Sequence, residues 1–86
     1  MPLISNFYGI SILMFFQEHN PPHFHAKYSG EIGIFNIKTG IMIAGNLPFY
    51  AKKLVKEWFK LHKQELLDNW QRAEKGQKLQ IINPLI

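Results

Sequence analysis

The 86-residue chain contains no cysteine, which excludes disulfides and thiolate-ligated metals and permits a reducing compartment. Any metal bound here must use nitrogen and oxygen ligands. Acidic residues are few, 6 against 10 Lys and Arg, giving a formal net charge of +4. That balance tilts toward an anionic partner, nucleic acid or an acidic protein, although most of the lysines read as a solvated helix face. No apolar run is long enough to span a bilayer; the richest, from Phe7 to Phe16, is short and interrupted by Gly9 and Ser11. A leader pattern is also missing, because Met1 to Phe16 carries no Lys or Arg and runs into Gln17-Glu18-His19-Asn20. The expectation is a cytoplasmic protein with no membrane contact. There is no internal repeat, low-complexity segment, linker, Gly-rich phosphate loop, nucleophile elbow or paired-carboxylate constellation.

What is present is a dense apolar and aromatic content, 47% and 14%, which argues for one ordered domain over residues 1–86. A domain of this size buries only about 60% of its unfolded surface, leaving room for a partner to supply part of its stability. Tyr8 to Phe16 is rich in Ile and Phe without helical periodicity and stops at Asn20-Pro21-Pro22, so it reads as a first strand. His23 to Tyr28 alternates, with Phe24, Ala26 and Tyr28 on one face and His23, His25 and Lys27 on the other. Ser29-Gly30 is a hairpin turn, Glu31 to Ile37 a third strand, and Ile41 to Ala44 a fourth. From Pro48 to Gly76, apolar residues including Leu54, Trp58, Phe59, His62, Leu66 and Trp70 recur at helical spacing. That run is long for one helix, and a break is expected near Leu61 to Gln64. Residues 77–86 form an extended tail whose Ile81, Ile82, Leu85 and Ile86 need burial on the domain or on a second copy. The fold class is α+β: a four-stranded antiparallel meander packed by one broken helix or two consecutive helices. The apolar tail, with edge strands that carry little charge, also predicts a homodimer.

Three of the four histidines fall within Glu18-His19-Asn20-Pro21-Pro22-His23-Phe24-His25. His23 and His25 leave the same face of a strand, about 6.6 to 7 Å apart at Cα. His23 and His25, with His19 or Glu18 as the third ligand, would hold a divalent metal such as zinc, the one cofactor the cluster suggests. A plainer reading ranks ahead: imidazoles beside a Pro-Pro turn that bond backbone groups and orient the loop. In a third reading, His23, His25 and His62 are the acid-base and phosphate-contacting groups of a metal-independent ribonuclease. His62 sits on the apolar helix stripe, with Glu65, Asn69 or the strand histidines as partners. Trp58, Phe59 and Trp70 are core at that spacing, and Lys52, Lys53, Lys56, Lys60 and Lys63 form a basic outer face that could track phosphates.

The opening Pro2-x-Ile4-Ser5-x-Phe7-Tyr8-Gly9-Ile10, the block from His19 to Ala26, the Gly45-x-Leu47-Pro48 step and the signature Trp58-x3-His62-x2-Glu65-Leu66-x2-Asn69-Trp70 together resemble the small bacterial domain-of-unknown-function family 4160. The resemblance implies a setting in which members neighbour, or are fused to, domain-of-unknown-function family 2442, as in toxin–antitoxin pairs. The functional expectation is therefore a component of a toxin–antitoxin-like module that binds a cognate operon-encoded protein, with nucleic-acid contact in addition. The alternative is a histidine-dependent ribonuclease or metal-dependent hydrolase at His19, His23, His25 and His62.

Overall fold

Turn chemistry divides the first half of the chain into five strands rather than four. In the computed structural model, which describes residues 2–86, these are β1 (Leu3–Phe7), β2 (Ile10–Leu13), β3 (His23–Tyr28), β4 (Glu31–Asn36) and β5 (Met42–Gly45). The expected first strand, Tyr8 to Phe16, is corrected: Tyr8 and Gly9 have φ of 50° and 79° and turn the chain between Phe7 and Ile10, which face each other across the hairpin. Two central residues of positive φ make the tight turn whose twist suits flanking strands. Ser29-Gly30 does the same between Tyr28 and Glu31, as its sequence predicts. Every neighbouring pair is antiparallel, and the sheet follows chain order β1-β2-β3-β4-β5.

One helix, α1 (Phe49–Glu74), covers one face of the sheet. A straight helix of 26 residues would be about 39 Å long. That exceeds the longest dimension of the whole domain, 33 Å. The helix breaks at His62, whose backbone (φ −128°, ψ 20°) is not helical, inside the expected interval. Val55, Trp58 and Phe59 before the break, and Leu66, Trp70 and Ala73 after it, meet Ile4, Phe7, Ile10, Ile12, Phe24 and Phe35 of the sheet in one core. Phe24 is central and fully buried, stacked on Phe35 at 5.4 Å between ring centroids and edge-on to Trp58 at 5.8 Å.

The tail docks on its own domain. The Ile82 N–H donates to the Ile4 carbonyl (2.8 Å), so the tail caps the outer edge of β1, and the Ile82 side chain is buried. Asn69, fully buried on α1, holds the tail by its amide: Nδ2 donates to the Gln80 carbonyl (2.8 Å) and Oδ1 accepts from the Gln80 N–H (2.9 Å). The Trp58 indole N–H donates to the Asn83 carbonyl (2.8 Å). Ile82 and Leu85 thus find cover within the chain, leaving Ile81 and Ile86 as the exposed apolar groups of the tail.

Candidate metal centre

β3 is the middle strand, so the open side of the sheet is most firmly held along it. Alternation sends Phe24 and Ala26 into the core and leaves His23 and His25 half-buried on that open face, their ring centroids 5.5 Å apart. The loop before β3 then returns over them. Gln17, with φ of 57°, donates its N–H to the Ala73 carbonyl near the end of α1 (3.4 Å), and this anchor brings Glu18 beside the strand histidines.

Each imidazole is held differently. The His23 Nδ1 lies 2.7 Å from the Pro21 carbonyl, which can only accept, so Nδ1 carries the proton and Nε2 presents its lone pair. The Trp70 ring backs His23 at 5.1 Å. His25 meets the edge of Phe15 at 4.8 Å, and its Nδ1 is buried without a hydrogen-bond partner. A buried polar atom left unpaired costs stability, and the His25 Nδ1 is such an atom. One ligand atom each from Glu18, His23 and His25 lie within 4.8 Å of one another. They open into a pocket of about 290 Å³ walled on the far side by Ile34, Ile43 and Ala44.

Burial is the main cause holding His25 below the ordinary imidazole range; the neighbouring His23 pushes the same way and Glu18 opposes it. The folded chain therefore binds the His25 proton less readily than the unfolded chain, whose imidazole titrates near pH 6.5. The resulting contribution is fully present above about pH 6.5 and is lost as the pH falls through the lower folded value. Metal-free protein should melt at a lower temperature at acidic pH, and the His25→Gln variant should lose part of that dependence. Thermal denaturation by circular dichroism with chelator present decides it, and identical pH profiles would contradict it.

The other candidates fall elsewhere. His19 is exposed and lines the same pocket, but it is not among the convergent donors, a place that Glu18 takes. His62 stays on the helix, its Nδ1 bonded to Glu65 Oε1 (2.5 Å) and its ring against Trp58 at 5.6 Å, and does not line the pocket. Trp58, Phe59 and Trp70 are buried core residues. Phe15 and the Pro21 carbonyl carry no signal in the residue pattern, since their roles depend on how the loop folds back.

The model of the family described as Domain of unknown function (DUF4160) matches residues 9–71. The chain belongs to this family. No curated protein and no solved structure matches it. The match takes in the loop, both strand histidines and the helix as far as Gln71, so every side chain at this site lies on the DUF4160 part of the chain. Among the described residues of this DUF4160 domain, no helix is long and apolar enough to cross a membrane.

Proposed function

We propose that this DUF4160 domain binds a divalent metal ion, such as zinc, through Glu18, His23 and His25. The observation that carries the reading is the meeting of two imidazoles and a carboxylate within 4.8 Å at the mouth of an open pocket. Ligands around tetrahedral zinc, with bonds near 2.0 to 2.1 Å, lie about 3.3 Å apart, so closing on an ion needs only small side-chain rotations. The Pro21 contact of His23 supports the reading, because ligating imidazoles commonly donate the other ring N–H to a backbone carbonyl. Loop orientation by backbone bonding and metal ligation are thus the same arrangement for His23. Three protein ligands leave a position for an exogenous group, and what the ion would supply there is polarisation of a carbonyl or phosphoryl oxygen. His19 adds an exposed third imidazole to the lining of that pocket, and histidine is the commonest general acid-base side chain, which favours hydrolysis over purely structural binding. A metal-free ribonuclease at His23, His25 and His62 has less support, since His62 is bonded to Glu65 outside the pocket.

Calorimetry on untagged, chelator-treated protein should show zinc or nickel uptake at a stoichiometry near one. His23→Ala combined with His25→Ala should abolish it, and Glu18→Gln should weaken it by about tenfold or more. No uptake at micromolar metal, or uptake that survives the double substitution, would refute the site.

A second reading has its own support. The domain acts in a toxin–antitoxin-like module by binding a cognate protein, and the observation that favours this is a sheet edge at β5 that is unpaired among the described residues and bordered by the exposed side chains of Ile41 and Phe49.

A further inference from the structure

We infer that the outer edge of β5, with the trough beside it, is the docking site for an extended acidic and apolar segment of a partner protein. The inference deepens the partner-binding reading above and is independent of the metal. The two edges of the sheet are treated differently: the tail caps β1 through Ile82, whereas among the described residues nothing pairs with the far side of β5. Natural edge strands are usually guarded by charge, proline or cover. Met42-Ile43-Ala44-Gly45 carries no charge and no proline, and Ile43 is about half exposed.

Between β5 and the first turns of α1 runs an open trough of about 510 Å³. Its floor is Phe35, and its apolar sides include Met42 and the exposed Ile41 and Phe49. Lys52, Lys53 and Lys56 form its helix-side rim, and no acidic residue lines it. None of the three takes part in an ion pair among the described residues. An extended peptide fits these features together: its backbone continues the sheet at β5, alternate apolar side chains enter the trough, and intervening or flanking carboxylates meet the lysines. A second copy of this chain fits poorly, because it would bring the same lysines and a net charge of +4. Nucleic acid would satisfy the lysines while leaving Ile41, Met42 and the strand edge uncovered.

The test uses a short fluorescent peptide alternating Val or Ile with Glu, its Lys-substituted counterpart, and a fluorescent single-stranded RNA, each titrated with the full chain. The acidic peptide should bind saturably and the basic one should not. The Lys53→Glu, Lys56→Glu double variant, folded by circular dichroism, should bind the acidic peptide about tenfold or more weakly. Amide exchange should slow in Met42–Gly45 when the acidic peptide is added. Equal binding to the charge-reversed protein, protection confined to other strands, or RNA binding without peptide binding would each overturn the inference. In cells, a photo-crosslinker at Ile41 that captures nothing while one at the exposed Leu61 captures a protein would overturn the β5 site and leave the partner-binding reading standing. Capture from neither position would overturn both.

Discussion

Phe24→Ala should destabilise the domain by about 3 to 5 kcal/mol, the range for truncating a fully buried phenylalanine. The ring has no exposure and touches both layers, Phe35 from the neighbouring strand and Trp58 and Phe59 from the helix. Three large aromatic neighbours cannot collapse together to refill the space, so a cavity cost adds to the lost transfer energy. Against a total of about 5 to 15 kcal/mol for a domain, such a loss brings the chain close to unfolding. His25→Ala, one position along and on the open face, should change stability by about 1 kcal/mol or less, because that imidazole is half-buried and its Nδ1 makes no hydrogen bond. Urea denaturation of the two variants checks both figures. A Phe24→Ala chain as stable as the parent would mean that the core is not centred on β3.

Asn69→Leu should cost about 2 to 4 kcal/mol although it conserves volume. The amide is fully buried and bonds both backbone groups of Gln80, while its Oδ1 also accepts from Arg72 Nη1 (2.9 Å). Leucine would leave the Gln80 N–H and carbonyl facing an apolar side chain, at about 1 to 3 kcal/mol for each group that water does not reach. The tail should loosen first, so limited proteolysis should cut after Lys75 or Lys78 in the variant well before the parent is cut. A cost below about 1 kcal/mol, with unchanged proteolysis, would show that the tail is held by Ile82 and the Trp58 indole without the amide.

The legible parts of the fold are those set by short periods. Alternation in β3 assigns Phe24 to the core and both histidines to the open face, because a strand gives each side chain only two directions. The helix break is legible from length alone, since an apolar stripe from Leu54 to Ala73 must bend to stay on a small sheet. The β1–β2 hairpin is not legible in the same way: Tyr8 adopts positive φ, which a bulky residue rarely does, and only Gly9 within an apolar run hints at the turn. At the site, the pair His23 and His25 follows from spacing, whereas the choice of Glu18 over His19 depends on a loop anchored to the Ala73 carbonyl, a contact remote in sequence. Asn69 reads from the sequence only as a partner for His62, and its grip on the tail is a long-range contact of the same kind.

The bond from Ile82 to Ile4 joins positions 78 residues apart. A ribosome adding about 5 to 20 residues each second would make β1 some 4 to 16 s before the segment that caps it. The meander β1 to β5 pairs only near neighbours in sequence and can assemble as it emerges, yet the outer side of β1 and the core face beneath Ile82 stay open throughout that interval. A nascent chain paused after α1 would therefore show a bare β1 edge beside the bare β5 edge, and that β1 edge is where premature association between growing chains would begin.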